Sequence, residues 1–208
     1  MARYIDGRCR ICRRVSEKLS LKGAKCFTPK CPEEKRHVPP GMHAQRRRRL
    51  SDWGVQLREK QKARYIYGVL ERQFRRYFAE AAKRPGVTGE YLLQLLERRL
   101  DNVIFRLGFA DSRAQARQLV NSGHITINGR KTKIPSCSVK VSDTIGWRPG
   151  STKTVYYKKL TESPLSQVPP VWLSLDKESM TGKVLSLPSR GDIQVPFIES
   201  AIVEYYSR

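Results

Sequence analysis

The chain has 208 residues, with 41 Lys plus Arg against 19 Asp plus Glu, a formal charge of +22 and a pI near 10.2. That length builds one large or two small domains with a real core, and that charge points to a polyanion as partner. No apolar run approaches the ~18 residues that span a bilayer, and the basic stretches lack a bulky apolar face, so a membrane partner is set aside in favour of nucleic acid.

Met1-Ala2-Arg3-Tyr4-Ile5-Asp6 contains no apolar core of a secretion signal, so the expected location is the cytoplasm. Disulfides are not expected there, and the cysteines need another role. Cys9 and Cys12 form C-x2-C, and Cys26 and Cys31 form C-x4-C after thirteen intervening residues. Two such knuckles can converge on one tetrahedral metal, and the surrounding Arg and Lys should lower the thiol pKa values. Zinc is the expected occupant, and an iron-sulfur cluster is the other group that four thiolates suit. His37 could substitute by position but reads better as a surface histidine, and Cys137 as a half-buried strand residue. Residues 1–45 are therefore expected to form a four-cysteine metal-binding knuckle behind an N-terminal tail.

Residues 46–97 read as a basic arm and a helical region. The first 64 residues hold 19 basic and 6 acidic side chains, so the N-terminal third carries the strongest charge. Pro39-Pro40-Gly41 makes a stiff turn, and Arg46, Arg47, Arg48 and Arg49 follow. Four adjacent arginines are best placed along phosphates, where each neutralised contact releases a counterion. A localisation patch or a disordered arm is the ordinary alternative. A helix over residues 55–66 places Arg58 and Lys62 on one ridge and Lys60 and Arg64 on another. In the next helix, Glu71 to Ala82, Phe74, Tyr77 and Phe78 have core spacing. Arg72, Arg75 and Arg76 face RNA or solvent there, with Arg72 taken as an RNA candidate. After Pro85-Gly86 another helix begins at Thr88.

Residues 98–160 read as one small RNA-binding domain. Leu96, Leu100, Val103, Ile104 and Leu107 form a buried stripe, and Arg98, Asn102 and Arg106 a polar ridge. A second helix opens at Ser112, which can accept from the Gln115 N–H while the Gln115 side chain returns to the Ser112 N–H. Gly123 supplies its left-handed stop. Arg113, Arg117 and Asn121 share one face, opposite Ala116, Leu119 and Val120. The period then changes to two, with Ile125 and Ile127 inward and Thr126 outward, and Asn128-Gly129 favours a type I′ hairpin turn. The pattern R-L-D, S-R-x-Q-A-R and G-H-I-T-I-N-G-R-K resembles the S-four RNA-binding domain. That resemblance implies Arg99, Ser112, Arg113, Gln115, Arg117, Gln118, His124, Asn128 and Lys131 as RNA contacts.

Val139 and Val141 alternate with polar residues and lead into Thr144-Ile145 as a small sheet, whereas residues 148–170 are rich in turn formers and read as non-helical. Residues 161–208 are expected to be a β segment packing on the helical region. Its strands would be Trp172-Leu173-Ser174-Leu175, Lys183 to Leu187, and Ile202-Val203-Glu204-Tyr205-Tyr206, with Trp172 and Tyr205 as core anchors. The fold class is thus α+β: a four-cysteine knuckle and helical domain, a helix-helix-β-hairpin RNA-binding domain, and a short C-terminal β segment. A phosphate-cradling Gly-rich loop, H-E-x-x-H, a nucleophile elbow and a paired-carboxylate site are all missing from the sequence, so no enzyme is expected.

End to end, the chain resembles the bacterial S-four family of small-subunit ribosomal proteins. The start M-A-R-Y, the cysteine pairs, P-P-G-M-H, R-E-K-Q-K-A-R-Y-I-Y-G, E-R-Q-F-R, W-L-S-L-D and V-E-Y-Y-S-R carry the likeness. It implies a primary binder of the five-prime domain of small-subunit ribosomal RNA that nucleates assembly of the subunit body and contributes to translational accuracy. It also implies contact with the fifth small-subunit protein and with messenger RNA where it enters the subunit, and adds Arg3 and Tyr4 to the RNA candidates. Ile5-Asp6-Gly7 departs from the family's usual Gly-Pro neighbourhood, and residues 148–170 are Pro-rich where relatives often carry a helix. RNA-modifying enzymes that bear the small domain need a separate catalytic domain, for which this chain has no room. The stronger alternative is a free RNA-binding stress or ribosome quality-control factor.

Overall fold

A computed structural model describes residues 4–41, 50–162 and 168–207, so Arg3 and the four arginines at 46–49 lie outside the described residues. The chain divides into two compact units: Met1–Leu93 together with Gln194–Arg208, and Gln94–Ile193.

In the first unit, α1 (Arg8–Val15) packs on α2 (Pro32–Lys35) and on α3 (Asp52–Ile66). Ser51 starts α3 by accepting from the Gly54 N–H at 3.3 Å. The helix α4 (Glu71–Ala82) has the expected bounds, and Phe74 and Tyr77 are buried on the predicted face. The helix α5 (Thr88–Glu97) carries the chain onward. The last element, α9 (Glu199–Tyr206), packs on α3 and corrects the expectation of a strand at 202–206. β-branched and aromatic residues favour a strand locally, but here the helical period buries Ile202 completely and sets the Tyr206 ring, tilted, against Phe78 with centroids 4.6 Å apart.

In the second unit, α6 (Leu100–Arg106) and α7 (Arg113–Asn121) pack together against a sheet. Leu100, Val103, Ile104 and Leu107 are fully buried as expected. The sheet has five antiparallel strands: β1 (Ile125–Ile127), β2 (Arg130–Lys131), β3 (Thr144–Trp147), β4 (Leu173–Asp176) and β5 (Thr181–Val184), in the order β2-β1-β3-β5-β4. The strands β4 and β5 therefore complete the sheet of the RNA-binding domain; the expectation that they pack on the helical region is corrected. Gly182 makes this possible, because a Cβ there would stand 2.4 Å from the Leu107 side chain. Val139 does not join a strand. Its segment lies along the start of α6, with Val139 N–H donating to the Arg98 carbonyl and Leu100 N–H to that of Cys137. Residues 155–162 form α8, correcting the non-helical reading. Thr154 accepts from the Tyr157 N–H at 3.3 Å, a cap hidden among turn formers.

Candidate nucleic-acid interface

The helix α7 is bracketed by local signals. Ser112 Oγ accepts from the Gln115 N–H at 3.3 Å, but Gln115 Oε1 accepts from the Asp111 N–H, not from Ser112, so the expected reciprocal box is shifted by one residue. At the other end Gly123 has φ +73°, its N–H donates to Val120, and the His124 N–H reaches the Leu119 carbonyl, a Schellman closure. Asn128 and Gly129 have φ of 49° and 77°, as a type I′ turn requires. Thr126 is covered rather than outward, since its hydroxyl donates to the Gly146 carbonyl at 3.1 Å.

Two buried acids organise the arginines on α6 and α7. Asp101 receives Arg99 through two bonds of 3.1 and 2.7 Å and Arg117 at 3.1 Å. Glu97 receives Arg106 through bonds of 3.0 and 2.8 Å and the Asn102 amide at 2.7 Å. Asn102 then accepts from Arg113 Nε at 2.7 Å, while the Arg113 guanidinium lies 4.5 Å from the Phe105 ring centroid. The carboxylates have 5 % and 1 % side-chain exposure, so their charge is neutralised by guanidinium forks in a poorly hydrated site. Arginines held this way have already lost most of the rotamer freedom that an RNA contact would cost them.

Other candidates occupy varied positions. Tyr4, Arg72, Gln118, Asn128 and Lys131 are exposed, whereas Arg58, Arg64, Arg98 and His124 are half-buried. Arg64 stacks on Tyr65, Arg98 Nε donates to the Val139 carbonyl, and His124 Nδ1 lies 2.9 Å from Ser151 Oγ. Asn128 braces the hairpin: its amide donates to Asp143, and its oxygen accepts from the Thr144 N–H. Three candidates are corrected outright as surface contacts. Arg99 is buried on Asp101; Lys60 is buried with both Glu71 oxygens at 3.0 Å; Lys62 is buried between Glu17 and Glu59, each at 2.6 Å. Burial alone would lower the Lys62 pKa, but its two carboxylate partners raise it. Likewise burial would raise the Glu71 pKa, but Lys60, Tyr206 and Arg64 hold it below the ordinary value.

Cys12, Cys26 and Cys31 are buried and Cys9 is half-buried. Burial pushes the Cys12 thiol up, and the charges of Cys26, Cys9 and Cys31 push it further, which corrects the expectation of a lowered pKa there. Among the described residues no group of three or more His, Cys, Asp or Glu side chains is arranged to hold a metal ion. The thiol chemistry suits a soft cation, and Cys9, Cys26 and Cys31 all lie near enough to Cys12 to act on its charge, so these four are the residues that would hold one.

Residues 3–97 match the ribosomal protein S4/S9 N-terminal domain, and residues 98–145 match the S4 domain. Over all of both chains, this sequence is 53% identical to the small ribosomal subunit protein uS4 of Pelotomaculum thermopropionicum. The figures are 54% for uS4A of Symbiobacterium thermophilum and 52% for uS4 of Heliobacterium modesticaldum, again end to end. The chain belongs to the uS4 family.

In this uS4-family chain, sequence reasoning found the arginines of the S4 domain but missed Glu97 and Asp101, which position them. An acid beside two arginines reads as solvated charge, and only the fold shows it buried. Among the described residues of this uS4-family protein, no helix is long and apolar enough to cross a membrane.

Proposed function

We propose that this protein is a structural, non-enzymatic constituent of the small ribosomal subunit in the cytoplasm, where it binds ribosomal RNA. The observation that carries this reading is the end-to-end identity of 53% to a protein named for that subunit. The charge of +22 and the organised arginines of α6 and α7 supply the physical means. A free stress or quality-control factor is less favoured, because it would need the S4 domain without the N-terminal region matched over residues 3–97.

The finer reading is a primary binder of the five-prime domain of the small-subunit RNA, which nucleates the subunit body and contributes to translational accuracy. Its partners would be the fifth small-subunit protein and messenger RNA where it enters. Arg113, Arg117, Gln118, His124 and Lys131 would hold phosphates and shape on one unit; Tyr4, Arg58, Arg64 and Arg72 would do so on the other, with Arg3 and the arginines at 46–49 adding charge. The test is binding to a five-prime-domain transcript against excess transfer RNA across a salt series. Tight binding that survives the competitor is expected; equal, salt-labile binding to both RNAs would favour the stress factor.

A zinc ion on Cys9, Cys12, Cys26 and Cys31 belongs to the same proposal, with an iron-sulfur cluster as the other occupant. The support is the donor chemistry and the mutual electrostatic influence of the four thiols, which would have to draw together around the ion. Elemental analysis of purified protein should give one zinc per chain, and chelation should make residues 1–45 more protease-sensitive. Metal-free protein with the same protease resistance would end this part of the reading.

A further inference from the structure

The loop that follows α1, residues 18–22, offers three donors to the cysteine segments, and the RNA reading uses none of them. The Leu19 N–H donates to the Cys12 thiol, and the Lys22 N–H donates to the Cys26 thiol at 3.3 Å. Ser20, at φ +49°, puts a tight bend between these two backbone donors. The third donor is the Lys18 ammonium, which binds Glu34 at 2.5 Å and stands 5.5 Å from the centroid of the Phe27 ring. Phe27 follows Cys26 at the end of a short helical turn, Gly23–Phe27, and Glu34 lies in α2, which begins directly after Cys31. One side chain from the loop after Cys12 therefore reaches both of the other segments that carry thiols.

Four thiolates outweigh the charge of one zinc ion, so the centre they would form is an anion. Such a centre is steadied by N–H donors aimed at sulfur and by a cation fixed beside it. The bond to Glu34 raises the Lys18 pKa, and the charges of Cys31 and Cys26 raise it further, so the ammonium lies within electrostatic reach of both thiols. Glu34 has 44 % side-chain exposure against 32 % for Lys18, so water damps the carboxylate more than the ammonium it fixes. Resting on the zinc reading above, we propose that Lys18 is a positioning residue for the metal: it holds the Cys26 and Cys31 segments toward α1, offsets the negative charge of the thiolate centre, and so slows loss of the zinc. Lys18 stays outside the donor set, because an ammonium has no lone pair to give a cation.

The test uses the full-length protein loaded with zinc. N-ethylmaleimide, an uncharged thiol reagent, ejects the ion at a rate read with a zinc-binding dye. Lys18→Met removes the charge and the Glu34 bond and should release zinc about tenfold faster, the low end for a group outside the donor set because Lys18 is partly exposed. Lys18→Gln should behave as Lys18→Met does, and Lys18→Arg should return to the wild-type rate. Lys25→Met, which removes an exposed charge next to Cys26 in sequence, should change the rate by less than about twofold. Arg8 and Arg13 still tie α1 to the Leu21 and Val38 carbonyls, so the variants should fold, as circular dichroism would show. In cobalt-substituted protein the thiolate-to-cobalt absorption band should move to longer wavelength in Lys18→Met and Lys18→Gln only, because the sulfur electrons are less stabilised once the cation is gone; a loosening elsewhere leaves that band in place. Wild-type rates and an unshifted band in both neutral variants, an equal acceleration in Lys25→Met, or no rescue by Lys18→Arg would each overturn the role of Lys18 while the zinc reading stands. Wild-type protein that holds no zinc would overturn both.

Discussion

At the scale of single residues, acids decide what the basic residues can do. Glu97 is fully buried and holds Arg106 directly and Arg113 through Asn102. Glu97→Gln makes the chain more positive, so long-range attraction alone would raise RNA affinity. The geometry requires the opposite: Arg106 loses its carboxylate and the Asn102–Arg113 link loses its anchor. We expect RNA affinity to fall several-fold, with a stability loss of about 3 kcal/mol from breaking a buried pair. Titration with a five-prime-domain transcript below the melting range checks the sign, and a gain in affinity would mean that net charge outweighs placement. Lys60 and Lys62 teach the same lesson. Both stand on helical ridges in the sequence, yet each is absorbed by carboxylates from Glu71, Glu17 and Glu59.

At the scale of elements, local signals were legible where period and caps agree. The α4 bounds, the α7 stop at Gly123 and the Asn128-Gly129 turn all follow from short-range chemistry. The helix α9 was not legible, because Ile202, Val203, Tyr205 and Tyr206 favour a strand until Phe74, Phe78 and Trp53 provide surfaces to pack on. The Glu59 carboxylate also accepts from the Ile198 N–H at 2.9 Å, just before α9 begins. Ile202→Ala should therefore cost about 2–4 kcal/mol through the cavity it leaves. Hydrogen exchange should quicken in α3 and α9 while α6 and α7 keep their protection. A loss below about 1 kcal/mol would mean that α9 adds little to the first unit.

At the scale of the whole molecule, family membership and the polyanion partner were legible because motifs and charge survive in one dimension. The division into units was not. Four successive segments were expected, but the final helix returns to the first unit, and β4 and β5 belong with the hairpin. Such pairings join residues far apart in the chain, and no local period announces them. The candidate site shared this limit: Arg113, Arg117 and Lys131 could be named from their motif, whereas the acids that orient the arginines needed the fold.

The return of α9 sets an order on the birth of the protein. During synthesis Met1–Leu93 are all made well before Glu199–Tyr206, so the earlier helical unit waits for its cover while the whole of 94–193 is added. Until α9 arrives, Phe74 and Phe78 have no Tyr206 to shield them. Throughout that interval the aromatic face of α4 stays open to contacts that α9 later closes off.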